Sequence, residues 1–278
     1  MGGALGRLYA ATRPVILFRR ADLDISNTAA IAPALEALSF DTLIFTAGTT
    51  NVDYCEDHAE EAMLTNCEAP RALAEICRDR GARFIHVSTD YVFDGAAEDL
   101  RRESDPTEPI SVYGKSKLAG ERAVLEVSPD ALVIRVSWLF GPDRPAFPDM
   151  ILKQAMSQDC VKAIADKWSC PTYSEDLAVW IEPMLSDTRY QGVLHLSNSG
   201  CVSWQQFGQC ALDIAAKLNL PLKTRVVESL SRIGFAPFKA ARPPHTGFDT
   251  TKFQSLSGIT PRPWQEALED YIRIKYAS

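Results

Sequence analysis

No apolar run in this chain approaches the roughly 20 residues that span a bilayer, and the N-terminus lacks the basic-then-apolar order of a secretory signal. No membrane partner is expected, and a cytoplasmic protein is. A basic stripe is also missing. Lys and Arg number 29 against 36 Asp and Glu, a net charge of -7, so nucleic acid is not expected as a partner because nothing neutralises a run of phosphates. The seven cysteines are odd in number and none forms a Cys-x-x-Cys pair, which excludes a disulfide framework and a zinc knuckle. Cys67 and Cys77 read as buried small hydrophobes in a reducing compartment. His86, His195 and His245 have no ligand spacing, and no metal is expected. Repeats and low-complexity segments are absent.

What is present is an alternation of short apolar runs with helical segments along 278 residues. Val15–Phe18, Thr42–Thr46, Phe84–Ser88 and Ala131–Val136 read as strands. Thr28–Leu38, Glu60–Arg80 and Val112–Glu126 read as helices, the second stopped by Gly81. Near-continuous apolar strands separated by helices indicate an α/β fold with a doubly wound parallel sheet covered on both faces. After Gly141 the rhythm changes and prolines cluster at Pro142, Pro145 and Pro148. Residues 1–141 are expected to form the sheet domain. Residues 142–278 would form mainly a smaller substrate lobe, with Val193–Leu196 returning a strand to the sheet.

The most informative stretch joins Ser88-Thr89-Asp90-Tyr91-Val92-Phe93-Asp94-Gly95 to Tyr113-x-x-x-Lys117. A strand delivers a hydroxyl at its end, and a phenol and an ammonium follow one helical turn apart, on one face. Such a trio suits proton delivery to a carbonyl during hydride transfer. Tyr113 is read as the proton donor, Thr89 as the group orienting the carbonyl, and Lys117 as the charge that lowers the phenol's pKa. Lys117 also suits the ribose hydroxyls of a nicotinamide cofactor.

These motifs resemble the extended short-chain dehydrogenase/reductases, and within them the dTDP-4-dehydrorhamnose reductase-like family. Thr50-Asn51-Val52-Asp53-x-x-Glu56, Ser137-Trp138-Leu139-Phe140-Gly141, Pro171-Thr172, Ala241-Arg242-Pro243 and Pro263-Trp264-x-Glu266-Ala267-Leu268 extend the resemblance along nearly the whole chain. It implies a Rossmann-like, dinucleotide-binding domain over 1–141 and NADPH-dependent reduction of a 4-keto group on a nucleotide-linked deoxysugar. It implies cofactor contacts at Ala47, Gly48, Thr49 and Asn66, and substrate contacts at Asp90, Trp138 and Arg242. A homodimer is compatible with it. The other reading is a non-catalytic subunit of the same fold, resembling the methionine adenosyltransferase β subunit.

The N-terminus departs from the family pattern. Met1 to Leu8 reads as the tail of a Gly-rich turn, with Gly3 and Gly6 matching its last two glycines, and the first strand of the sheet is expected to be missing. A start assigned at an internal methionine is the favoured explanation. Arg19 and Arg20 stand where this fold meets the adenosine ribose, which favours NADPH over NADH. Asp166-Lys167-Trp168-Ser169-Cys170-Pro171-Thr172 replaces the family's Asp-Gln-x-Gly-x-Pro-Thr, so the nucleotide or sugar is left open.

Overall fold

The computed structural model describes residues 1–276. Its main sheet has four parallel strands, β1 (Thr42–Phe45), β2 (Arg83–Thr89), β3 (Leu132–Val136) and β8 (Gly192–Leu196), in that spatial order. Because side chains alternate across a strand, the sheet feeds two cores. Ile85, Leu132 and Ile134 face one side with Leu5 and Tyr9 of α1 (Gly2–Ala10). Phe84 and Val133 face the other with Ile31 of α2 (Ile31–Glu36) and Leu73 of α5 (Ala69–Asp79). Helices on both faces make the sheet doubly wound.

Val15–Phe18 is not a strand. Among the described residues β1 pairs only with β2, so this segment has no ladder partner and Ile16, Leu17 and Phe18 stay exposed. The helix expected over Glu60–Arg80 is also interrupted. Between α4 (Ala59–Met63) and α5, Leu64–Glu68 forms a π-helical turn that turns Thr65, Asn66 and Cys67 inward. Pro70, which has no N–H to donate to the Asn66 carbonyl, accounts for the break.

The second half of the chain builds a lobe from three small pairings. They are β4 (Leu139–Phe140) with β7 (Thr172–Tyr173), β5 (Val161–Ile164) with β10 (Val227–Leu230), and β6 (Trp168–Ser169) between β9 (Val202–Ser203) and β11 (His245–Thr246). Around them pack α7 (Phe147–Ser157), α9 (Trp204–Lys217) and α11 (Trp264–Tyr276), through Leu152, Phe207, Leu212 and Leu268. The lobe is interleaved with the sheet, since β8, α8 (Ser174–Ile181) and α10 (Thr251–Ser257) all pack on the sheet side. No described helix is long and apolar enough to cross a membrane.

Candidate active site

Strand β2 ends at Thr89, whose Oγ1 accepts the Tyr91 N–H at 3.2 Å and starts a short 3-10 turn, Asp90–Val92. Helix α6 (Val112–Val127) begins beside it. Ser111 caps α6 by accepting the Gly114 N–H at 3.2 Å, and Glu56 of α3 (Val52–Asp57) accepts the Val112 N–H at 2.9 Å. Close approach requires glycine here. A Cβ on Gly114 would lie 2.3 Å from the Tyr91 carbonyl, and one on Gly120 2.0 Å from the Asn66 carbonyl. Tyr113 is thereby placed beside the strand end, edge-on to Tyr91 at 5.6 Å. One turn later the Lys117 Nζ donates to the Val87 carbonyl at 2.7 Å. Thr89, Tyr113 and Lys117 thus gather at one strand end.

The electrostatics differ from the sequence expectation. Burial pushes the Tyr113 phenol upward, the neighbouring Thr89 hydroxyl opposes that shift, and the nearby Asp90 charge adds to it. Lys117 does not acidify the phenol. Its amine is committed to the Val87 carbonyl, and burial lowers it to about 8. Tyr113 therefore keeps its proton at neutral pH, which suits a donor. His86, between the rings of Phe45 and Phe84, is held neutral by burial and by the Lys117 charge. His195 donates from Nδ1 to the Arg101 carbonyl at 3.0 Å and stacks on Phe248.

Asp90 does not offer its carboxylate to a substrate. It is 3% exposed, and accepts from Thr89 at 3.1 Å, Ser137 at 2.9 Å and Thr246 at 2.5 Å. Its effect on the site runs through Thr89. Ser137 and Thr246 escaped the sequence reading because they stand 47 and 156 residues from Asp90. Behind them the buried Lys167 donates to the Pro243 carbonyl at 3.0 Å and Ser169 at 3.2 Å, with its charge 5.1 Å from the Tyr91 ring. Burial lowers Lys167 to about 8.

On the other side of the strand ends, Ala47 is exposed while Gly48 and Thr49 are half-buried. Asn66 is fully buried and engaged within the protein. Its Oδ1 accepts the Thr49 N–H, and its Nδ2 donates to the Thr49 carbonyl and to Ser116, each at 3.0 Å. It shapes the Ala47–Thr49 loop without presenting a free polar atom. A Cβ on Gly48 would fall 2.4 Å from Asn66, so only glycine lets the Asn66 side chain close against that loop. Gly3 and Gly6 lie inside α1, not in a turn. Cβ atoms there would strike Asp143 and Leu17, each at 2.6 Å. Arg19 and Arg20 are exposed.

The lobe residues are also partly engaged. Trp138 takes φ +43°, a region costly for a bulky residue, and its ring lies 4.7 Å from Phe207 and 5.5 Å from Trp204. Arg242 donates to Asp53 at 2.6 Å and lies over Phe238. Asp53 also accepts the Lys239 and Ala240 N–H groups, so the first helix after β1 clamps the 239–242 loop. Among the described residues no His, Cys, Asp and Glu cluster could hold a metal.

A dinucleotide fits these residues. The Gly48 loop follows β1 with Ala47 exposed, and the two exposed guanidiniums of Arg19 and Arg20 suit a phosphate. A doubly wound sheet carrying a hydroxyl, a phenol and an amine at one strand end defines a Rossmann-fold reductase. The chain belongs to the RmlD substrate binding domain family, whose model it matches over residues 1–276. It is 32% identical to a dTDP-4-dehydrorhamnose reductase of Aggregatibacter actinomycetemcomitans over 97% of this chain and 95% of that one. A dTDP-4-dehydrorhamnose reductase structure from Clostridium acetobutylicum superposes with TM-score 0.90 at 30% identity, covering 98% of this chain and 95% of the other. The Bacillus anthracis enzyme, solved in complex with NADP, gives TM-score 0.87 at 28% identity over the same shares.

Proposed function

We propose that this protein reduces the 4-keto group of a nucleotide-linked deoxysugar, with dTDP-4-dehydrorhamnose as the first substrate to test and NADPH preferred over NADH. The observation that carries this reading is the gathering of Thr89, at the end of β2, with Tyr113 and Lys117, one turn apart on α6. A bound reduced nicotinamide supplies the hydride. Thr89 turns its hydroxyl proton from Asp90, which accepts it in the free protein, to the carbonyl oxygen. Tyr113 passes its phenolic proton to that oxygen as negative charge develops there. Lys117, anchored on Val87, meets the cofactor ribose. Arg19 and Arg20 meet the extra phosphate of NADPH, Trp138 faces the sugar, and Arg242 exchanges Asp53 for the diphosphate. The reaction belongs to the cytoplasm, where reducing conditions keep the thiols free, and a homodimer is compatible with it.

A non-catalytic subunit would have no need of this enclosed trio. The test is NADPH consumption by the purified chain with dTDP-4-dehydrorhamnose, beside a fluorescence titration with NADPH. Turnover yielding the C4 alcohol is expected. Tight NADPH binding without turnover of any 4-keto nucleotide-sugar would overturn the reading, as would no binding at all.

A further inference from the structure

Two of the seven cysteines face each other across a strand pair that borders the site. β6 and β9 run antiparallel with Trp168 opposite Ser203 and Ser169 opposite Val202. One step further along that register, Cys170 stands opposite Cys201. Residues opposed in an antiparallel pair have Cα atoms about 4.5 or 5.5 Å apart, within the span a disulfide bridges. Each thiol shifts the ionisation of the other. Cys170 is buried and Cys201 is exposed, so a reagent meets one thiol with the second directly behind it.

The chemistry of the pair is asymmetric. The neighbouring Cys170 holds the Cys201 thiol below its ordinary value, with the Lys167 charge adding to the effect, while Cys170 itself is pushed well up. Cys160 is also exposed, but desolvation and the Glu228 carboxylate push its thiol up. A thiolate is the reactive form, which singles out Cys201. The pair also touches the turn that carries Thr246. The Phe248 N–H donates to the Cys170 Sγ at 3.3 Å, and the Cys201 Sγ lies 3.0 Å from where a Cβ on Gly247 would sit. Thr246, on the same turn, bonds Asp90.

We propose that Cys201 and Cys170 form a peroxide-reactive dithiol whose oxidised state is a cross-strand disulfide beside the Thr246–Phe248 turn. The Cys201 thiolate attacks one peroxide oxygen, the O–O bond breaks, and hydroxide leaves to be protonated to water, giving a sulfenic acid. The Cys170 sulfur then attacks the Cys201 sulfur, the S–S bond forms, the S–O bond breaks, and a second water carries off the Cys170 proton. Two electrons and two protons pass from the thiols to the peroxide. The disulfide ties the sulfur that accepts the Phe248 N–H to Cys201 and draws on the turn that holds Asp90 through Thr246.

The test treats the reduced full chain with hydrogen peroxide, blocks remaining thiols with N-ethylmaleimide, and maps the peptides by mass spectrometry without reductant. A Cys170–Cys201 linked peptide, lost on adding dithiothreitol, is expected. Before oxidation, Cys201 should alkylate at least about tenfold faster than Cys160. Cys201→Ser should abolish the linked peptide, and Cys170→Ser should leave a sulfenic acid on Cys201 that dimedone traps. Oxidation confined to Cys160, or a Cys201 sulfenic acid that never proceeds to the linked peptide in the unmutated chain, would overturn the proposal. The mapping needs no catalytic turnover, so its outcome is independent of the proposed reductase activity.

Discussion

At the end of β2, Thr89, Asp90, Tyr113 and Lys117 are enclosed, and Thr89, Asp90 and Lys117 have protein partners, whereas after α1 the guanidiniums of Arg19 and Arg20 stand in solvent beside an irregular Val15–Phe18. The first region is organised before any ligand arrives. Its donors sit in low dielectric, where a fixed hydrogen bond acts most strongly on developing charge. The second leaves its charge for a ligand to neutralise. The proposed function thus sets the chemistry in the middle of the sheet and cofactor choice at an exposed end.

The contrast can be broken most severely at Arg135, which ties β3 to α6 through three contacts with Glu121, of 2.7 to 3.2 Å, both side chains almost fully buried. Arg135→Ala leaves the Glu121 charge without its partner and should cost about 3–5 kcal/mol. A thermal melt unchanged from the parent would contradict the tie. Acid should act on the enclosed region next. Burial, with the Arg135 charge, depresses the folded His195 from 6.5 to about 3, and burial holds His86 down in the same direction. Above pH 6.5 neither state gains a proton at these sites. Below it the unfolded chain protonates while the folded chain does not, so stability falls as pH drops from about 6.5 toward 3. His195 alone should cost about 2 kcal/mol between pH 7 and pH 5, readable as a lower urea midpoint, and an equal midpoint at both pH values would contradict its burial as a neutral ring. The exposed end should respond least. Arg19→Ala with Arg20→Ala should raise KM for NADPH roughly tenfold and leave KM for NADH unchanged. An equal rise for both cofactors would remove these residues from the phosphate site.

Much of the enclosed region was legible because its signals are local. An apolar run ending in Ser88-Thr89-Asp90 reads as a buried strand, and a Tyr and a Lys four apart share a helix face. The resemblance added Asp90, Asn66 and Arg242 as ligand contacts, but geometry gives all three protein partners. Pairs such as Asp53 with Arg242, 189 residues apart, leave no trace in spacing. The same holds for Thr246 on Asp90 and for Cys170 opposite Cys201, where a cross-strand register has to be seen. Val15–Phe18 carries a strand's composition, yet a strand exists only with a neighbour. Nothing in the sequence marks Gly114 and Gly120 as required. Their need appears only when α6 lies against the Tyr91 and Asn66 carbonyls.

Tyr113→Phe removes one oxygen from the pocket and leaves the ring, the helix and the Lys117 anchor on Val87 in place. In a single turnover with NADPH and dTDP-4-dehydrorhamnose, the variant should oxidise NADPH at least about 100-fold more slowly than the parent chain, with NADPH affinity unchanged. An undiminished rate would contradict proton delivery by Tyr113 and, with it, the site as described.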